Sequence, residues 1–360
     1  MKVAFFFGAL NRGGAETLAL DVFARKAELP FEAVCLYRKE GVLSQQMAAT
    51  SADMLKVPRK KSWLLYFCRL RKTIRKHHID ILHAQTSLNA IIAILCSWFT
   101  GVKVITTFHG FGFLNAPKLL RWFIFKGSDR IIFVSQQLKK AFVERGDFGL
   151  DAKMAVVHNG INFDKFQHTP NHTSNRSTLA LCMVGSFGDG RNQLLICRFL
   201  KLLKDAQVDF HFTFVGAARP NEMELYNACV DYCSAHGLEQ HVTFAGLCHN
   251  VPQILSTMDA FIYSTRHDSF GLAVIEAIAS SLPTFVNDWC TMKEITRDGK
   301  WATLYKTDDE QSLLQVFNDF LANRDTYQQK ALASANEVRQ VYSIQHHIAS
   351  LAQIYSSVSH

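Results

Sequence analysis

At 360 residues, with 48% hydrophobic and 19% charged positions and a formal net charge of +8, the chain can bury more than one core; a disordered or low-complexity protein is excluded. Its nine cysteines are scattered without a CxxC pair, which argues against a disulfide scaffold or a zinc ribbon. Apolar runs at residues 1–12 and 88–99 are too short to span a bilayer, and the first has no small-residue cleavage site, so a soluble, cytoplasmic chain is expected.

Strand-like and helical segments alternate from the first residue. Residues 3–7, 33–37, 81–84, 104–108, 131–134 and 155–158 read as strands with helices between them, which predicts βαβ units and a parallel sheet. The pattern restarts with strands at 179–184, 211–215, 242–245, 260–263 and 284–286. A polar run at 171–178 reads as a loop, and the domain boundary is placed near residue 163. Cys229 and Cys233, four apart on a predicted helix, fit two buried thiols better than a metal site.

Charge is uneven. Residues 1–160 hold 24 Lys and Arg against 11 Asp and Glu, whereas the rest of the chain holds 15 against 20. Between Lys56 and Lys76 lie nine basic residues and no acid, interleaved with Trp63, Leu64, Leu65, Tyr66, Phe67 and Leu70. Helical spacing predicts one face of Trp63, Phe67, Leu70 and Ile74 and another of Arg69, Lys72, Arg75 and Lys76. Three readings stay open: a solvated helix face, an anionic membrane surface held through 56–76, and nucleic acid, for which no motif is recognised elsewhere.

The densest chemistry lies at 263–283, YSTRHDSFGLAVIEAIASSLP. Asp268 precedes Glu276 by eight residues, and a helix beginning near Ser269 would set both carboxylates on one side above exposed amides. That suits a sugar nucleotide; two solvated acids on an amphipathic helix are the alternative. Leu181-Cys-Met-Val-Gly185-Ser-Phe-Gly-Asp-Gly-Arg191 reads as a strand, a glycine-rich turn and a cation for an anionic ligand. Gly13 and Gly14 follow the first strand and open a helix, where backbone can approach a phosphate. Glu16 is either a first-turn acid favoured by the helix dipole or an acceptor contact. His109 ends an apolar strand before Gly110, the edge where open parallel sheets bind ligands.

Taken together, Asp268-Ser-Phe-Gly-Leu-Ala-Val-Ile-Glu276, Gly13-Gly14-Ala15-Glu16, Asp80-Ile-Leu-His83-Ala84, Thr106-Thr107-Phe108-His109-Gly110 and Val157-His158-Asn159-Gly160-Ile161 resemble the retaining glycosyltransferases of family 4 (group 1), in the same order. Asp268 stands where that family usually has Glu, Arg191 at its Lys position and Ser186 at its Arg position. The resemblance implies the α/β GT-B fold, two Rossmann-like domains facing each other across a cleft. Residues 1–163, with a returning C-terminal helix at about 340–360 (periodicity gives 335–357), would form the acceptor-side domain and 164–339 the nucleotide-sugar domain.

By the same resemblance Glu276 accepts from ribose hydroxyls, Arg191 meets the diphosphate, and Gly13, Gly14, Gly185, Phe270, Gly271 and Leu272 lie around the donor. His109 and Asp268 lie at the transferred sugar. A UDP-sugar is favoured over a GDP-sugar, transfer goes with retention to a lipid-linked or saccharide acceptor, and the enzyme works in the cytoplasm or on the cytoplasmic face of the membrane. No metal or cofactor is expected, since His77-His78 and His346-His347 are adjacent pairs. An epimerase on the same fold and a donor-binding protein without catalysis are the rival readings; the loop at 111–118 carries no code for acceptor or sugar.

Overall fold

The computed structural model describes residues 1–11, 13–50, 52–59, 62–98, 100–145, 152–166, 178–188, 190–218, 222–248 and 250–358. Lys60, Lys61 and most of the 171–178 run lie outside them. The chain divides into two compact units, one of Met1–Ile161 with Ile344–His360 and one of Asn162–Ser343.

In the first unit, β1 (Lys2–Ala9), α1 (Gly14–Ala24), β2 (Glu32–Lys39), α2 (Ser44–Ala49), β3 (Asp53–Lys56), α3 (Trp63–Lys76), β4 (Ile81–Ala84), α4 (Ser87–Ser97), β5 (Lys103–Phe108), α5 (Lys118–Gly127), β6 (Arg130–Phe133), α6 (Gln136–Glu144) and β7 (Met154–Val156) follow one another. They build a parallel seven-stranded sheet ordered β3-β2-β1-β4-β5-β6-β7. The central strands are apolar on both faces because helices cover both, as in β1, where Val3 to Phe7 are all buried.

The second unit contains β8 (Leu179–Val184), α7 (Gln193–Asp205), β9 (Phe210–Val215), α8 (Met223–Ala235), β10 (Val242–Gly246), α9 (Val251–Leu255), β11 (Ala260–Tyr263), α10 (Leu272–Ala279), β12 (Thr284–Asn287), α11 (Cys290–Ile295), β13 (Thr303–Tyr305), α12 (Glu310–Ala322) and α13 (Arg324–Val341). Its six strands are again parallel, in the order β10-β9-β8-β11-β12-β13. The last helix, α14 (Ile344–Ser356), belongs to the first unit. Its Ile344, Ile348, Leu351 and Tyr355 enter the core formed by Phe5, Val22, Phe31 and Ile81, and Tyr355 packs edge-on against Phe31 at 4.9 Å.

Three expectations change. The C-terminal helix at 335–357 is two helices, because Tyr342 and Ser343 break the run between units. The buried stripe of α3 is Tyr66, Leu70 and Ile74, spaced four apart, while Trp63 is 41% exposed. Phe67 sits between, so the proposed face of Trp63, Phe67, Leu70 and Ile74 is rotated toward Tyr66. Strands β3 and β13, both at sheet edges, have no counterpart in the sequence pattern. Cys229 and Cys233 are buried on α8 and meet a third thiol, Cys197 of α7, whose own titration is pushed up by hydrogen bonds with both and by burial.

Candidate active site

In each sheet the strand order reverses once, between β1 and β4 and between β8 and β11. Connections leave the carboxyl ends of such strands in opposite directions and open a crevice there, where open α/β sheets take ligands. The residues singled out in the sequence gather at these two places, one in each unit.

In the second unit, Gly185 follows β8 and the segment 264–271 follows β11. Strand alternation would leave Tyr263 inside the sheet, and its ring is fully buried. Its hydroxyl nevertheless reaches the crevice, donating to Asp268 Oδ2 at 2.6 Å and accepting from Arg191 Nε at 3.0 Å. The Arg191 guanidinium stands 3.5 Å from the same carboxylate oxygen, with side-chain exposures of 26% and 13%. Asp268 Oδ1 accepts the Phe270 amide at 3.2 Å, an Asx turn that bends the chain into α10. Arg191, Tyr263 and Asp268 therefore form one partly buried network, and Tyr263, its fully buried member, is the one that sequence reasoning passed over.

Glycine is required at two points here. Gly271 caps α10 with φ +87°, and a Cβ would come within 2.7 Å of Met292 Cε. At Gly185 a Cβ would lie 2.7 Å from Arg191 Nε, so its absence lets the guanidinium lie against the turn. α10 starts at Leu272, not near Ser269, which makes Glu276 its fifth residue, half-buried, with Asp268 in the preceding loop. Ser186 takes no part in the network through its side chain, and its carbonyl accepts from Gln193 Nε2 at 3.1 Å. The 264–268 loop is braced from below: Asn287 exchanges two hydrogen bonds with the Thr265 backbone at 2.9 and 2.7 Å, and Tyr305 donates to the Tyr263 carbonyl.

In the first unit, Gly13 caps α1 in an extended conformation and a Cβ there would meet the Glu16 carboxylate, whereas Gly14 faces open space. Burial raises the Glu16 carboxyl, partly offset by a backbone hydrogen bond. His109, after β5, bonds through Nε2 to Gln85 Oε1 at 2.8 Å. Behind it His83 lies between Tyr355 of α14 and Thr107, both at 2.6 Å, and His347 of α14 bonds through Nδ1 to the His158 carbonyl at 2.8 Å. Burial, reinforced by the neighbouring imidazoles, pushes His83 down to about 3 and His109 to about 4. Burial also pushes His347 to about 4, against a bond to the His158 carbonyl that raises it. The rings are neutral at pH 7. A cavity of about 20 Å³, the room of one water, lies among His83, Gln85, His109, Asn159 and His347, and Asn159 Oδ1 is buried there with no hydrogen-bond partner among the described residues. Among the described residues no three His, Cys, Asp or Glu side chains are grouped to hold a metal ion.

Comparison with known proteins follows the same division. The sequence profile of Glycosyltransferase Family 4 matches residues 12–165, and that of Glycosyl transferases group 1 matches residues 164–337. Relatives include the putative glycosyltransferase EpsD of Bacillus subtilis, 22% identical with 68% of each chain covered. An Escherichia coli galactosyltransferase acting on diphosphoundecaprenol-linked GlcNAc is 24% identical over 61% of this chain and 60% of its own, so the match omits two fifths of that relative. The lipopolysaccharide core mannosyltransferase LpsB of Rhizobium meliloti is 25% identical, with 58% of this chain and 62% of that one covered. HepE of Anabaena, crystallised with UDP, superposes with a TM-score of 0.88 at 16% identity, covering 99% and 100% of the two chains. The two parallel-sheet units are thus those of the GT-B fold, and the chain belongs to the group 1 glycosyltransferases of family 4 type.

Proposed function

We propose that this protein transfers a sugar, with retention and without a metal, from a nucleotide-sugar to a lipid-linked or saccharide acceptor during surface polysaccharide or lipopolysaccharide assembly. The observation that carries the reading is the Arg191–Tyr263–Asp268 network beside the N-terminus of α10, a half-buried cation beside a helix start at one crevice. Such a place neutralises a leaving diphosphate. Names among the relatives support the setting, since they act on a diphosphoundecaprenol-linked sugar, a lipopolysaccharide core and, in Staphylococcus aureus CapH, a capsule. A UDP-sugar is the preferred donor, supported by the HepE complexes with UDP and UDP-glucose.

In this reading Glu276 accepts from the ribose hydroxyls, Arg191 holds the diphosphate, and His109 meets a hydroxyl of the sugar. The bond from the anomeric carbon to the phosphate oxygen breaks while a bond to the acceptor oxygen forms on the same face. The departing phosphate oxygen takes the acceptor's proton. Asp268, one methylene shorter than the family's Glu and already held by Tyr263, orients and screens the donor sugar and does not attack it.

Calorimetry with UDP and GDP, followed by a panel of nucleotide-sugars, tests this directly. Glu276→Ala and Arg191→Ala are each expected to weaken UDP binding by roughly 1.5–3 kcal/mol, the cost of losing a hydrogen bond to a charged group. No nucleotide binding by the parent, or parent-like binding by both variants, would overturn the placement.

A further inference from the structure

Gln85 follows β4 immediately after the His83-Ala84 pair, is 6% exposed, and has no part in the reading above. Its amide is held at both ends. The Nε2 group donates to the His83 carbonyl at 3.4 Å, an atom that can only accept. That fixes which end of the amide faces which way, and Oε1 is the end left at His109 Nε2, 2.8 Å away. An amide oxygen only accepts, so the proton of the His109 ring must be on Nε2.

We infer that Gln85 is a positioning residue that fixes His109 as the neutral Nε2–H tautomer, so that any group meeting Nδ1 must donate to it. The surroundings maintain the neutral form. Among the described residues His83 from β4 and His347 from α14 are titratable groups set against the ring, and a second positive charge among them would be repelled in a buried place. Gln85 contributes dipole without charge; a carboxylate in its place would attract a second proton onto the ring. His109 accordingly selects a group that donates, a hydroxyl, and turns away an oxyanion. It cannot serve as a general acid at neutral pH. Only the naming of that hydroxyl as one on the donor sugar rests on the proposed function.

The test is the tautomer itself. Protein labelled with 15N-histidine, with His109 assigned through His109→Gln, is read by long-range 1H–15N correlation spectra between pH 6 and 8. The parent should show the Nε2–H pattern throughout. Gln85→Glu should keep that pattern and raise the ring's apparent pKa by at least one unit, while Gln85→Leu should give a mixture of tautomers. An Nδ1–H or doubly protonated ring in the parent at pH 7 overturns the inference, as does an unchanged tautomer in Gln85→Leu. If the leucine variant does not fold, the near-isosteric glutamate variant decides alone: an unmoved pKa overturns it. UDP affinity should be the same in the parent and both variants, because UDP lacks the transferred sugar whose hydroxyl His109 would meet. Failure of nucleotide binding would therefore remove the functional reading and leave the tautomer result intact.

Discussion

Asp268 and Arg191 satisfy one another, and Tyr263 completes the contact from below. A diphosphate arriving at Arg191 has to compete with a carboxylate already there. Asp268→Asn is therefore expected to bind UDP several-fold more tightly, yet to cut sugar transfer at least about tenfold, roughly 1.4 kcal/mol on the barrier. Simple repulsion between carboxylate and phosphate predicts the same gain in affinity, so the measurement is a double-mutant cycle. In an Arg191→Ala background the gain should vanish, because the contest was for the guanidinium; a gain that persists shows repulsion alone. Asp268, Glu276 and Arg191 were legible because each falls in a short run of sequence. Tyr263 was not, since strand alternation alone would bury it and one of its two partners, Arg191, is 72 residues away. Gln85 and His109 are joined in the same way across 24 residues.

Strands with long apolar runs were legible as elements, and edges were not. β13 has three residues and β3 carries Asp53 and Lys56, too short or too polar for a periodic signal. The start of α10 was misjudged because a left-handed glycine delays the helix without interrupting its apolar pattern. α14 gives this scale its own prediction. His83 and His347 are buried and neutral, with folded values near 3 and 4 against about 6.5 in the unfolded chain. Below pH 6.5 the unfolded chain binds protons that the folded one refuses, so the stabilisation is complete above 6.5 and is lost as pH falls through the window from 6.5 to about 4. The pair should cost up to about 3 kcal/mol per pH unit well inside that window. Urea unfolding at pH 7.5, 6.0 and 5.0 should show this slope in the parent and a shallower one in His347→Asn. Parallel slopes in the two proteins would mean that His347 does not hold α14 in its neutral form.

Across the molecule, exposed apolar side chains are concentrated in the first unit. Trp63, Leu64 and Leu65 open α3, Leu88 opens α4, and Leu119 and Trp122 lie in the first turns of α5, with exposures between 41% and 75%. Each of these helices follows a parallel strand and so starts on the carboxyl side of the sheet, and Arg59 stacks over Trp63 at 4.7 Å. No helix among the described residues is long and apolar enough to cross a membrane. We propose that residues 56–76 meet an anionic bilayer, since exposed apolar side chains stand beside the basic ones at the start of α3. Sedimentation with anionic vesicles should fall as salt rises, because the attraction is screened within about 10 Å at 0.1 M. Arg69→Gln with Lys72→Gln should weaken it at low salt, and Trp63→Ser with Leu64→Ser should weaken it at every salt concentration, with UDP affinity intact in both. Parent-like sedimentation of both pairs would leave the segment a solvated helix face. Lys60 and Lys61, counted in that segment, lie outside the described residues.

The return of α14 to the first unit also has a meaning in time. Ile344, Ile348, Leu351, Tyr355 and Val358 belong to a core whose other buried members lie before residue 158 in the chain. The ribosome makes the whole second unit before it supplies them. Until then the core of the first unit lacks one flank, while the contiguous 162–343 segment already has all of its residues. The histidine cluster is finished only when Tyr355 and His347 arrive, so the unit that holds His109 is the last to mature although it is the first to be made.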